Sequence, residues 1–112
     1  MKTKILSLFL SLLMIIPTIG FTGCASRGGN ADVHVFYYTY SDTYISTVRT
    51  ALDKRLGDAG LSYQDYDAAG NQTTQTEQIQ TAITKGAKLL VVNVVTTGSD
   101  DAASGIVALA KK

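Results

Sequence analysis

An α/β fold is what this 112-residue sequence predicts: a three-layer, doubly wound parallel sheet built in the order β-α-β-α-β-α. Two observations carry the expectation. Leu89-Leu90-Val91-Val92-Asn93-Val94-Val95 places six aliphatic residues in seven positions, the composition of a strand buried on both faces of a helix-covered parallel sheet. Ahead of it, β-branched and aromatic runs alternate with stretches whose apolar residues recur every three or four positions. That alternation is the pattern of right-handed βαβ crossovers.

The first strand is expected over Val33 to Tyr40. Ser41 or Asp42 can then cap a helix whose apolar positions, Ile45, Val48, Leu52, Leu56 and Ala59, fall on one stripe. Gly57 lies in its last turn and Gly60 supplies the stop. A second strand, Leu61 to Tyr66, is polar enough to lie at or near a sheet edge, and Asp67 to Thr73 is a loop that turns at Gly70-Asn71. Thr74-Gln75-Thr76-Glu77 fits a capping box for a second helix. Ile79, Ala82, Ile83 and Ala87 form its narrow apolar stripe, Gly86 ends it, and its Gln/Thr-rich face reads as solvated surface. The third strand, Leu89 to Val95, is followed by a helix opening at Ser99-Asp100-Asp101, where acids suit the positive end of the dipole, and closing at Lys111-Lys112. A wholly apolar third strand with nothing paired beyond it would be an exposed edge, so residues 32–112 are expected to be the first part of a longer, truncated domain.

The N-terminus has a separate logic. Met1 to Lys4 is basic, Ile5 to Phe21 is a 17-residue apolar run broken by Pro17, and small residues precede Cys24. A spanning helix needs about 20 apolar residues, so a cleaved export signal over 1–23 is favoured over a retained anchor. Phe21-Thr22-Gly23-Cys24 resembles the bacterial lipobox, with Phe21 where Leu is usual; the resemblance implies that Cys24 carries lipid and anchors the mature chain. Cys24 is also the sole cysteine, which excludes an intrachain disulfide. Residues 24–31 then read as the lipidated cysteine and a flexible glycine-rich tether. Beyond Cys24 the chain has eight basic against nine acidic residues, a net charge of −1, which invites neither nucleic acid nor anionic lipid.

Ligands of doubly wound sheets bind outside the carboxyl ends of the strands. Those ends here hold Tyr38, Tyr40, Ser41, Asp42 and Tyr44, then Asp67, then Asn93 with Thr96 and Thr97. Neither a G-x-G-x-x-G nor a P-loop pattern occurs. His34, the only histidine, lies mid-strand without a partner for metal or catalytic work and reads as a packed or edge residue. No metal site, cofactor site or catalytic constellation is expected, and an enzyme is the weakest reading. What remains is an aromatic face, a carboxylate and an amide, a set suited to a polyhydroxylated ligand. Each member also has a structural reading: Asp42 as a helix cap, Tyr44 as a staple on the first helix, Asn93 as a satisfied core amide.

On these residues the chain resembles the N-terminal part of the type 1 periplasmic sugar-binding proteins, most of all the galactose/glucose binders. Their strand-end pattern Y-x-Y-x-D-x-aromatic is matched by Tyr38, Tyr40, Asp42 and Tyr44, and their Asn within an apolar third strand by Asn93. The resemblance implies a partial first lobe in which Asp42 and Asn93 bind sugar hydroxyls, Tyr44 stacks on the ring and Tyr38 walls the pocket. Tyr44 replaces the usual Phe, and Thr96 stands where an acid is common. The implied function is a lipid-anchored, extracytoplasmic, non-enzymatic protein that captures a monosaccharide for the permease of an ABC importer. The alternative is a lipoprotein that presents a sugar signal to a sensor kinase or chemoreceptor.

Overall fold

A computed structural model describes residues 31–112, so the expected signal, Cys24 and most of the tether lie outside the described residues. The chain runs β1 (Val33–Tyr37), α1 (Thr43–Asp58), β2 (Tyr63–Asp67), α2 (Gln72–Thr84), β3 (Leu89–Val92) and α3 (Asp100–Ala110). All strands are parallel and the spatial order is β2-β1-β3. Val33 pairs with Tyr63 on one side and Leu89 on the other, and Phe36 with Tyr66 and Val92. The predicted α/β class and element order are those observed.

β1 is buried along its whole length and divides the core in two. Val33, Val35 and Tyr37 face α1, where they meet Ile45, Leu52 and Leu56. Phe36 faces α2 and α3, among Ile79, Ala82 and Ile106. On that second face the Tyr66 ring stacks on Phe36, with centroids 4.6 Å apart, and more distantly on His34. His34 is buried rather than an edge residue. Its Nε2 donates to the Ala31 carbonyl at 2.9 Å, because a carbonyl can only accept, which leaves Nδ1 to accept from the Tyr66 hydroxyl at 2.9 Å.

At the opposite end of the sheet from the candidate site, Asp32 gathers the three strands. Its carbonyl accepts from Lys88 and Leu89, its carboxylate pairs with Lys88 at 2.6 Å, and Ser62 bonds both its backbone and its side chain. Helices α1 and α2 both end in the Schellman arrangement. The N–H of Leu61 reaches the Leu56 carbonyl and that of Ala87 the Ala82 carbonyl, with Gly60 at φ 68° and Gly86 at φ 88° making the left-handed step.

Five expectations need correction. β1 ends at Tyr37 rather than Tyr40, and β3 at Val92 rather than Val95. Beyond those points side chains replace the ladder: Asn93 Oδ1 takes the Tyr38 N–H and Asp67 Oδ1 takes the Tyr40 N–H, each at 3.2 Å. β2 starts two residues late, leaving Leu61 exposed in the turn. β3 is covered on one face only. Leu90 and Val92 pack toward α2 and α3, whereas Leu89 is 52% and Val91 37% exposed. α1 lies over β1 and Tyr63 on that side, and no residue of β3 joins its cluster among the described residues.

The fifth correction concerns the start of α2. The cap is Asn71, not Thr74: Asn71 Oδ1 accepts from the Thr74 N–H at 3.1 Å, so the helix begins one turn before the expected capping box. The preceding Ala69 and Gly70 both have positive φ, 50° and 74°; they swing the chain so that Asn71 enters the helix from an extended conformation. Asn71→Ala should therefore cost about 1 kcal/mol in urea denaturation, and Thr74→Ala much less. The reverse order of effects would restore the Thr74 cap.

Candidate functional site

The crossover through α1 carries the chain from β1 to β2 on one side, and the crossover through α2 returns it to β3 on the other. The two helices lie on opposite faces, so the carboxyl ends of β1 and β3 flank the topological switch point, where an open α/β sheet leaves a crevice. Tyr38, Asp42 and Asn93 meet there.

Tyr38 is the link. Its backbone N–H donates to Asn93 Oδ1 at 3.2 Å, and its hydroxyl donates to Asp42 Oδ2 in a short 2.5 Å bond. Asp42 is at the same time the N-cap of α1, with Oδ1 accepting from the Ile45 N–H at 3.0 Å. The Tyr38 hydroxyl, and then the backbone N–H groups of Ile45 and Tyr44, hold the Asp42 carboxyl below the ordinary carboxylate range. The same bond raises the Tyr38 phenol above its usual value. The pair is therefore fixed at neutral pH as a carboxylate acceptor beside a neutral hydroxyl. The cap role and the strand-end role of Asp42 are filled by one side chain, using one oxygen for each.

Asn93 is exposed, not a core amide, and its backbone N–H closes the ladder on the Phe36 carbonyl at 2.8 Å. Its side-chain oxygen is engaged by Tyr38, and its Nδ2 makes no hydrogen bond among the described residues. Tyr44 stands on the first turn of α1 with 74% of its surface exposed. Its ring is not packed as a staple.

The other strand-end tyrosines go elsewhere. Tyr37 is buried against α1, and Tyr40 meets it edge to face at 5.9 Å beneath the Arg49 guanidinium, 4.0 Å above the Tyr40 ring. Tyr40 and Arg49 line a cleft of about 350 Å³ between α1 and β2, together with Asp53, Tyr63 and Asp65. Asp67 is consumed structurally: one of its oxygens receives the Tyr40 and Ala69 N–H groups, and its carbonyl receives Gln78 Nε2 at 2.8 Å.

Two residues of the supposed solvated face of α2 belong to this region. Gln75 is fully buried; its Nε2 donates to the Asn93 carbonyl at 2.9 Å and its Oε1 accepts from the Val95 N–H at 3.2 Å. Gln72 Nε2 donates to the same Gln75 oxygen, and Gln72 Oε1 accepts from the Thr96 N–H at 3.0 Å. The signal was present in the spacing: Gln75 lies four residues before Ile79 and so on the buried stripe of α2. Among the described residues no cluster of three His, Cys, Asp or Glu side chains could hold a metal ion, and no helix is long and apolar enough to cross a membrane.

No known family profile matches the sequence. The chain is similar to the D-galactose/methyl-galactoside binding periplasmic protein MglB of Haemophilus influenzae, with 30% identity over 87 residues that cover 72% of this chain and 26% of that protein. The chain thus spans about a quarter of the length of the relative it matches. Its likeness is to a periplasmic sugar-binding protein, and its three-stranded parallel sheet with three helices is compatible with part of one lobe of such a protein.

Proposed function

We propose that this chain is the N-terminal part of the first lobe of an extracytoplasmic solute-binding protein that captures a galactose- or glucose-like monosaccharide for an ABC importer. The observation that carries the reading is the grouping of Tyr38, Asp42 and Asn93 at the switch point. Asp42 keeps lone pairs for sugar hydroxyls beyond those used by Tyr38 and Ile45, Asn93 Nδ2 donates, and the exposed Tyr44 ring offers a flat apolar face to the C–H side of a pyranose. Tyr38 forms the wall between them. A second lobe closes the site, and no bond in the sugar is made or broken. The similarity to a galactose-binding protein supports the ligand class.

Cys24, after cleavage behind Gly23, is the lipidated first residue of the mature protein, followed by the 24–31 tether. Two acyl chains or more anchor stably where one does not. The sugar reading is tested by calorimetry of the full-length protein with D-galactose and D-glucose, with D-ribose and an amino acid as comparisons. Saturable binding of a hexose is expected; binding of none of the sugars refutes the reading. The anchor is tested separately with Cys24→Ala, which should abolish lipid labelling and release the protein from the membrane fraction. Lipid-dependent attachment that survives the substitution overturns the assignment.

A further inference from the structure

We infer that Gln75, assisted by Gln72, is the positioning residue of the candidate site: from within the core it fixes the turn after β3 so that the Asn93 side chain meets Tyr38. The inference rests on the sugar-site reading for its functional consequence but not for its geometry.

The chemistry of the turn explains why a buried amide is needed. Past Val92 the backbone leaves β1, so the Asn93 carbonyl and the Val95 N–H lose the ladder that would have satisfied them. Buried backbone groups need partners. A primary amide can serve a carbonyl and an N–H together through two separate atoms, donating through Nε2 and accepting through Oε1. Gln75 does both, reaching across from the first turns of α2. Gln72 fixes which way that amide faces: its Nε2 can only donate, so the Gln75 atom it meets at 3.3 Å is the oxygen. Its own oxygen then takes the next free donor of the turn, the Thr96 N–H.

The consequence falls on Asn93. Its N–H is tied to Phe36 and its C=O to Gln75, so both peptide planes flanking its Cα are held. A backbone clamped on both sides fixes the direction of the Cα–Cβ bond, and from that bond the side chain reaches the Tyr38 N–H through Oδ1. Tyr38 in turn holds Asp42. The path from the core of α2 to the carboxylate thus runs Gln75, Asn93, Tyr38, Asp42, every step a hydrogen bond.

Gln75→Met, of similar shape but without the amide, tests this in the full chain. Hydrogen exchange should quicken at least tenfold at the Val95 amide and also at the Tyr38 amide, which Gln75 does not touch; the mid-strand amides of β1 should stay protected. In the full-length protein D-galactose should bind at least tenfold more weakly, whereas Ile79→Val, a core substitution that leaves the turn alone, should bind within twofold of wild type. Unchanged exchange at Tyr38, or equal loss of affinity in the Ile79→Val protein, overturns the positioning role. Should Gln75→Met fail to fold, Gln72→Met replaces it: faster exchange at Thr96 and Tyr38 supports the inference and unchanged exchange at both overturns it. A wild-type protein that binds no hexose refutes the sugar reading, while the exchange at Tyr38 still decides the role of Gln75.

Discussion

Phe36→Ala should lower the stability of the full-length protein by about 3–5 kcal/mol. Phe36 has no exposed surface, sits in β1, the one strand paired on both sides among the described residues, and lies nearly parallel to Tyr66, with 12° between the ring planes. The ring touches the α2–α3 half of the core, so its removal opens a void bounded by Ile79, Ala82 and Ile106. Phe-to-Ala changes in such positions cost about 3–5 kcal/mol, because the lost transfer energy is joined by a cavity that rigid neighbours do not fill. Circular dichroism with urea should show the loss directly. Val107→Ala, at a half-exposed position on α3, should change stability by no more than about 0.5 kcal/mol. A Phe36→Ala protein as stable as the Val107 variant would mean that the two-sided core is wrongly described.

Asp42→Asn should weaken hexose binding at least tenfold, about 1.4 kcal/mol, while changing stability little. The replacement amide keeps an oxygen for the Ile45 N–H and another contact for Tyr38, so the helix start survives. What disappears is the charge, and a hydrogen bond to a charged acceptor is worth roughly 1.5–3 kcal/mol. Tyr44→Ala should lose a comparable amount by removing the stacking face, whereas Tyr44→Phe, which keeps the ring and matches the residue usual in galactose/glucose binders, should bind nearly normally. Calorimetry on the full-length protein decides between the roles. Equal loss in the Phe and Ala variants would assign the contact to the hydroxyl. Normal binding in all three would remove Asp42 and Tyr44 from the site.

The fold was legible because its signals are local and redundant. Apolar spacing marked α1 and α2, glycines marked both Schellman stops, and the aliphatic run marked β3. Strand ends were misread because their limits are set by partners distant in sequence. Nothing in Tyr38-Thr39-Tyr40 says that Asn93 and Asp67 will take its N–H groups. α2 began early because Asn71, read as part of a turn, is an equally good cap, and only the two left-handed residues before it select it. Of the site residues, Asp42 and Asn93 were visible as polar groups at strand ends, and Tyr38 was visible only as one tyrosine of several. Its role as their link depends on which way the backbone turns after β1. Gln75 was hidden by composition: in a Gln/Thr-rich segment one buried glutamine resembles its neighbours unless its phase against Ile79 is counted.

The two edges of the sheet are not equivalent, and the difference gives the sheet a direction of growth. At the outer edge of β2 the side-chain amide of Gln64 occupies the Asp65 carbonyl at 3.0 Å, and the strand is polar along its length, so incoming backbone would have to displace a bond already made. At β3 the edge is aliphatic and its Leu89 and Val91 side chains are only partly covered. The position of α3 selects the same side. Moving from β2 to β3 the chain crossed on the α2 face, and α3 packs on that same face through Ile106 and Leu109. A right-handed crossover that leaves β3 on this face can only step onward, away from β1. Any parallel strand reached through α3 therefore adds beyond β3, and a helix that followed it back over the other face would be the one to cover Leu89 and Val91.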